Sequence, residues 1–169
     1  MSKRVITFDL STGGIDYALK ELEKFKADLI KACNDLIRQL TALGLDTAQS
    51  VLTFTTHGWT GELEKSLYEE SGWDDKDRTG RVRTSCPWAA FVEFGTGIVG
   101  ASNAQSGFPH GGYKPDGMGH GEAGWWYGNP NDGRVHWTQG EPAKPFMYTA
   151  LARIRSDTGR YAATVFAKL

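Results

Sequence analysis

The sequence predicts an α+β fold, in which helices near both ends of the chain accompany a small antiparallel sheet. Three observations predict it. Apolar residues recur at helical spacing near both ends, polar and apolar residues alternate around a turn in the middle, and glycine is concentrated after that hairpin. The chain has 169 residues, which suits a single domain, 1–169, with a substantial buried core.

The N-terminal part of the chain predicts a long amphipathic helix that opens at Gly13-Gly14. We expect Gly44 to end it and a second short helix to run from Asp46 to about Phe54. A helix of about 28 residues would be roughly 42 Å long, so one end should project or contact a partner. A short edge strand is expected before it, at Val5 to Leu10. The apolar positions of the long helix are Leu19, Leu22, Phe25, Leu29, Cys33, Leu36, Leu40 and Leu43.

The middle of the chain predicts a β-hairpin. Polar and apolar residues alternate over Leu63 to Trp73 and over Arg78 to Ser85, around a turn-forming stretch at 74–77. Helix-forming residues between Gly61 and Glu70 leave a helical alternative open at the start of this segment.

Glycine dominates the next segment. Of the 21 glycines, 13 lie between residues 95 and 140, which predicts a long loop at about 97–140. Loops of this length in a compact domain are usually functional or become ordered on a partner.

The chain ends in a second amphipathic helix. Pro142 and Pro145 lie where it should start, and proline suits the first turn because its missing N–H would have no partner there. The apolar positions of this helix are Phe146, Met147, Ala150, Leu151, Ile154, Tyr161 and Val165.

Composition excludes several classes of protein. A net charge of -1 provides no broad positive field, which disfavours binding that depends on neutralising many phosphates. We find no apolar run that could serve as a signal peptide or span a bilayer, so we expect a cytosolic protein that does not enter membranes. Cys33 and Cys86 are too few for a disulfide framework or a zinc site, and we expect both to be reduced thiols.

A metal-dependent hydrolase is the main alternative among enzymes, because five residues that could bind a metal lie in or beside the glycine-rich segment. Their spacing matches no His-Glu-x-x-His pattern, and the chain has neither a Gly-x-Ser-x-Gly elbow nor a Gly-Lys-Ser/Thr phosphate loop. We therefore expect a protein that is not an enzyme and has no metal or cofactor. The five residues are His110, Asp116, His120, Glu122 and His136.

Aromatic residues in the same segment predict a protein-protein interface. Trp125, Trp126, Tyr127 and Trp137 would leave a large apolar surface in water if they lay on an isolated loop. Packing onto the subunit's own sheet is the main alternative, and stacking on nucleic acid is a weaker one because the chain is not basic.

Charge is uneven along the chain. Residues 60–80 hold seven acids and three bases, a net of -4, whereas residues 144–169 hold five bases and one acid, a net of +4. Solvated faces explain this pattern. A second hypothesis is that opposite charges steer adjacent copies together in an assembly.

Three short stretches resemble the signatures of one family. A Thr-Gly-x-Leu-x-x-Ser-Ile/Leu signature is matched over 60–67, a Tyr-Ala-x-x-Val-Glu-Phe-Gly-Thr signature near 89–97, and a Pro-x-x-Pro-Phe-hydrophobic-x-x-Ala signature over 142–150. Trp88 replaces the tyrosine that often opens the second signature. The matching residues that we expect to shape the fold are Thr60, Gly61, Leu63, Ser66, Phe94, Gly95, Thr96, Pro145, Phe146 and Ala150.

The family that these stretches resemble is the neck or tail-completion proteins of long-tailed bacteriophages, the head-tail joining proteins that are often labelled minor tail or minor capsid proteins. The resemblance implies a structural virion protein without catalytic residues. It implies a ring, expected to hold six copies, between the head-closure or connector protein and the tail-terminator protein. DNA would pass through without specific binding, and assembly in the host cytoplasm would place the protein in the virion neck.

Two residue-level expectations accompany the resemblance. Gly95 and Thr96 should form a turn, and Glu93 is interpreted as a turn or interface carboxylate. A free-standing binding module stays open as a third interpretation, because it differs from a neck protein in gene neighbours and oligomeric state.

Overall fold

The computed structural model describes residues 5–55, 61–73, 78–97, 99, 124–129 and 132–169. It has the predicted α+β architecture, with long helices near both ends and two separate two-stranded antiparallel sheets. Within the described residues, no helix has the length and apolar character needed to cross a membrane. The elements are α1 (Thr12–Thr55), α2 (Glu62–Lys65), β1 (Leu67–Trp73), β2 (Arg78–Thr84), α3 (Ala89–Phe94), β3 (Trp125–Gly128), β4 (Val135–Thr138) and α4 (Phe146–Phe166).

Helix α1 is continuous over 44 residues, which corresponds to roughly 66 Å. The prediction that Gly44 ends it is wrong, and the expected second helix at 46–54 is the C-terminal part of the same helix. The reason is tertiary packing. A Cβ atom at Gly44 would lie 2.7 Å from Cδ1 of Ile154 in α4 and 3.3 Å from Cγ2 of Val82 in β2. Gly44 therefore lies at the point where α1, α4 and β2 approach one another closely. The packing of these elements overrides the low helix propensity of glycine.

The segment before α1 forms no strand, so the predicted edge strand at Val5 to Leu10 is wrong. These residues lead into a local cap instead. The Asp9 carboxylate accepts a hydrogen bond from the Ser11 amide at 2.9 Å, and Ser11 Oγ accepts one from the Gly14 amide at 3.1 Å. Serine before a helix satisfies an amide that has no partner within the helix.

The central hairpin is confirmed, with β1 and β2 paired from Leu67↔Thr84 to Trp73↔Arg78. Its first strand starts later than predicted, because residues 62–65 form the short helix α2. Leu63 and Leu67 are both buried there, and Ser66 Oγ lies 2.7 Å from Thr84 Oγ1. The expected turn at 74–77 lies outside the described residues.

A second hairpin lies where a structureless loop was predicted. Strands β3 and β4 pair antiparallel with Trp126 opposite Trp137, so the loop prediction is wrong at these residues. Both strands are rich in aromatic and β-branched side chains, which favour the extended conformation. The many glycines in this segment predicted a loop instead of these strands. Residues 100–123 of the predicted loop lie outside the described residues.

Helix α4 confirms the predicted C-terminal helix, with Pro145 immediately before its first residue. It runs antiparallel to α1. Its start packs in the core that contains Ala48 and Leu52 of α1, and the residues around Val165 share a groove with α1 residues 28–39. Residues 12–27 of α1 lie beyond that groove. The core consists of Ala48, Leu52, Leu63, Leu67, Cys86, Ala89, Val92, Phe146 and Ala150.

Substitution of Gly44 tests whether packing or local propensity governs α1. Leucine is a far better helix former than glycine, so propensity alone predicts that Gly44→Leu stabilises the protein by up to about 1 kcal/mol. Because its side chain would overlap Ile154, we expect a net destabilisation of about 1–3 kcal/mol, measured by urea unfolding.

Gly159→Ala in α4 is the matched control, since a Cβ atom there would meet nothing within 4 Å. We expect it to stabilise the protein by about 0.5–1 kcal/mol. An increase in stability for both variants would contradict the close packing at Gly44.

Candidate protein-interaction site

One face of the second hairpin is apolar and exposed. Trp126 and Trp137 are directly opposite, and Val135 lies two residues from Trp137, so all three side chains share a face. They are 65%, 48% and 64% exposed, respectively. The two indole rings pack edge to face, with centroids 5.3 Å apart and planes at 64°. We call Trp126, Val135 and Trp137 the aromatic face. Contiguous exposed apolar surface of this kind commonly marks a protein interface.

The opposite face of the hairpin contacts the body of the protein. Trp125 is half-buried, and its ring lies so close to Gly97 that a Cβ atom there would be 3.0 Å from Trp125 Cζ3. Tyr127 is 44% exposed and lies against His136, with ring centroids 5.9 Å apart. Of the four aromatic residues predicted at an interface, three are exposed, and Trp125 is half-buried beside Gly97. Contact of these residues with a partner stays a prediction.

The base of the hairpin is attached by a backbone crossing. The Thr96 amide donates to the Glu141 carbonyl at 2.9 Å, and the Glu141 amide donates to Thr96 Oγ1 at 3.0 Å. Gly140 has a φ of +107°, and a Cβ atom there would overlap the Thr96 carbonyl oxygen. The residues at 95–97 therefore hold the end of β4 in a fixed position. The structure assigns no turn at Gly95 and Thr96, where one was expected. Gly95, with a φ of +71°, directly follows α3, and Thr96 makes the hydrogen bonds of the crossing.

Glu93 lies next to this crossing, at the start of the last helix. It belongs to α3 and is 7% exposed. Its Oε2 accepts a hydrogen bond from the Met147 amide and its Oε1 one from the Tyr148 amide, both at 2.9 Å. Amides in the first turn of a helix have no partner within the helix, and the helix dipole favours a negative charge there. Glu93 is thus a cap for α4, located within the subunit.

Two opposing effects set the pKa of Glu93. Burial is the larger effect and raises the pKa above its ordinary value of 4.5, whereas the amides of Met147, Tyr148 and Phe146 lower it. A neighbouring backbone bond, from the Lys144 amide to the Val92 carbonyl at 2.8 Å, fixes the approach of the two segments. This bond and the two bonds to Glu93 together hold α3 against the start of α4.

The three stretches that carry the family resemblance meet in one place. Leu63 from the first, Val92 from the second, and Phe146 and Ala150 from the third belong to the same core cluster. Pro145 is buried just before α4, and Phe94 is half-buried. Gly61, with a φ of +70°, precedes α2, and Ser66 bonds across to β2. Thr60 lies outside the described residues.

The metal-ligand candidates are only partly described. His136 Nε2 lies 2.7 Å from Asp132 Oδ2 beside the turn of the second hairpin. Among the described residues, no three histidine, cysteine or acidic side chains come together as a metal site would require. His110, Asp116, His120 and Glu122 lie outside the described residues. Cys33 and Cys86 are both free thiols, half-buried and buried respectively.

The uneven charge is partly balanced within the subunit. Extending the acidic window 60–80 to residue 84 adds Arg81 and Arg83, which changes its net charge from -4 to -2. Arg83 pairs with Glu70 at 2.7 Å across the hairpin. On α4, Asp157 pairs with Arg153 at 2.8 Å and with Arg160 at 3.2 Å. These ion pairs are consistent with charged faces that are exposed to solvent. Electrostatic steering between adjacent copies of the chain stays a prediction.

Sequence reasoning missed α3, the second hairpin and the cap by Glu93. The hairpin had a signal, since two runs rich in β-forming residues flank an Asn-Asp-Gly turn sequence. The cap had none, because the amides that it binds are 54 and 55 residues away along the chain. Comparison with protein-family models, with curated proteins and with solved structures gives no match to this chain.

The pH dependence of stability tests the environment of Glu93. Because burial raises its pKa in the folded state, the folded protein holds this proton more tightly than the unfolded chain does. The stability contributed by protonated Glu93 is therefore complete below pH 4.5 and is lost as the pH rises through the raised pKa.

Glu93→Gln is the matched variant, since glutamine is similar in shape and does not titrate. We expect the free energy of unfolding of the wild-type protein, minus that of Glu93→Gln, to fall as the pH rises above 4.5. Urea unfolding at a series of pH values measures this difference. A difference that grows with pH would mean that the amide donors outweigh burial.

Proposed function

We propose that this chain is a structural virion protein of a long-tailed bacteriophage, a subunit of the neck ring that joins head to tail. The observation that carries the proposal is the convergence of the three signature stretches in one core cluster. Residues that match the signatures have defined structural roles there: Leu63, Phe146 and Ala150 are buried, Thr96 bonds to the Glu141 amide, and Glu93 caps α4.

The arrangement of core and surface supports a role in assembly. The signature residues are mostly inside, whereas the aromatic face lies on a separate hairpin at the surface. We propose that this face contacts an adjacent subunit or the neighbouring ring. Tryptophan is enriched at the energetically dominant positions of protein interfaces. The partners would be further copies of this chain, expected to be six in the ring, together with the head-closure or connector protein and the tail-terminator protein.

DNA would pass through the lumen of such a ring without being gripped. The net charge of -1 gives the subunit no overall basic surplus with which to hold DNA. The protein would assemble in the host cytoplasm and remain in the virion neck, as a component that acts by fitting between other rings.

Disruption of this gene in its phage tests the proposal. We expect complete heads and complete tails that fail to join, counted by electron microscopy, with a loss of infectious particles of several orders of magnitude. Restoring the gene on a plasmid should restore joining. Heads and tails that still join into infectious particles would refute the assignment.

Complementation with point variants assigns the joining contact to the aromatic face. We expect Trp126→Ser and Trp137→Ser to reduce infectious particles about tenfold or more, because each removes an exposed aromatic side chain from the contact. Leu151→Ser is the control, since Leu151 is 44% exposed on α4, away from the hairpin. Equal losses from all three variants would argue against a specific role for the aromatic face.

A further inference from the structure

Helix α1 carries a heptad pattern of apolar residues that is only partly buried within one subunit. Apolar residues recur alternately every three and four residues, the spacing with which helices pair in coiled coils. In heptad terms, the d positions are Ile15, Leu22, Leu29, Leu36 and Leu43, and the a positions are Leu19, Lys26, Cys33 and Leu40.

The N-terminal half of this pattern is exposed. Ile15, Leu19, Leu22 and Leu29 are 42%, 54%, 53% and 38% exposed, whereas Leu36, Leu40 and Leu43 further along are half-buried. The change occurs where α4 shares its groove with α1 residues 28–39. We call Ile15, Leu19, Leu22 and Leu29 the α1 stripe. It extends for roughly 21 Å along the helix.

We propose that the α1 stripe binds the same stripe of a second copy of this chain, as an antiparallel pair of helices. A second copy fits because it brings an apolar stripe of the same length and the same heptad spacing. The contact would be two-fold symmetric: with Lys26 opposite Ile15, Leu19 of each copy lies against Leu22 of the other, and Leu29 lies opposite Thr12 at the end of the contact. This inference does not depend on the proposed function. Copies joined by a two-fold contact point in opposite directions, whereas the copies of a neck ring would point the same way, so the pair describes the protein before it enters the ring.

Lys26 determines the direction of the pair. It is exposed and interrupts the apolar seam at an a position, where a single lysine specifies register and oligomeric state. In a parallel pair in register, the two Lys26 side chains would face each other and repel. In an antiparallel pair, Lys26 reaches the N-terminal end of the other stripe, where its aliphatic stem packs on Ile15.

The charges beside the stripe complement Lys26 in the antiparallel direction. Asp16 is exposed and follows Ile15 in the sequence, so it lies next to the position that Lys26 of the other copy would reach. Glu23 precedes Lys26 by three residues and therefore lies on the same side of its own helix. Each ammonium would lie between two carboxylates, one from each copy.

Sedimentation of the full chain over a range of concentrations tests the contact. We expect a monomer-dimer equilibrium that Leu19→Lys weakens about tenfold or more. Tyr17→Lys is the matched control: Tyr17 is also 54% exposed, receives the same charge, and lies about 200° around the helix from Leu19. We expect it to change the dissociation constant by less than about twofold.

Leu22→Lys serves as a second disrupting variant, and circular dichroism establishes whether each variant keeps its helix content. A wild-type chain that stays monomeric at all accessible concentrations would overturn the proposal. So would a dimer that persists in folded Leu19→Lys and Leu22→Lys.

The dependence on salt tests the direction. For an antiparallel pair, raising NaCl from about 0.05 M to about 0.3 M should weaken the wild-type dimer, because salt screens the attraction of Lys26 to the acids. Lys26→Leu should lose most of this dependence. A wild-type dimer that becomes tighter with salt, while Lys26→Leu does not, would mean that the lysines face each other and would overturn the antiparallel arrangement.

Discussion

The carboxylate of Glu93 accepts the amides of Met147 and Tyr148 and thereby joins two segments that are more than fifty residues apart. Without an acceptor, two partly buried N–H groups would be left unpaired, at a cost of up to about 1 kcal/mol each. The carboxylate is itself buried, and burial raises its pKa, which opposes the effect of the amide donors. The interaction therefore acts mainly as a geometric constraint. It fixes where α4 begins, and so where Phe146 enters the core and where α4 meets α1.

Several other features depend on that position. With the start of α4 held beside α3, the residues at 139–141 must cross those at 95–97, and the Thr96 to Glu141 hydrogen bonds form there. That crossing attaches the second hairpin, with Trp125 inward and the aromatic face outward. The residues of the three signature stretches thus mainly stabilise the interior of the subunit. The surfaces available for partners, the aromatic face and the α1 stripe, lie outside the signatures.

Features that depend on residues close together in the sequence could be predicted, whereas features that depend on residues far apart in the sequence could not. The long helices and the central hairpin were predictable because their periodicity is local. The contact of Trp126, Tyr127 and Trp137 with a partner stays a prediction, and the structure shows only that these residues are exposed. The prediction at Gly44 is wrong because packing against Ile154 and Val82, which are distant in sequence, overrides the low helix propensity of glycine. The cap by Glu93 and the crossing at Gly140 depend entirely on tertiary contacts. The second hairpin has a signal in its β-forming residues, but the many glycines in the same segment favoured a loop.

Amide hydrogen exchange of the full chain, followed residue by residue by NMR, tests the role of Glu93 most directly. If its carboxylate caps α4, the Met147 and Tyr148 amides should exchange about as slowly as core amides such as that of Ala150, through global unfolding. Glu93→Ala should make those two amides exchange by local opening, together with the Thr96 amide. Rapid exchange of Met147 and Tyr148 in the wild-type protein, as at an uncapped helix start, would contradict the account.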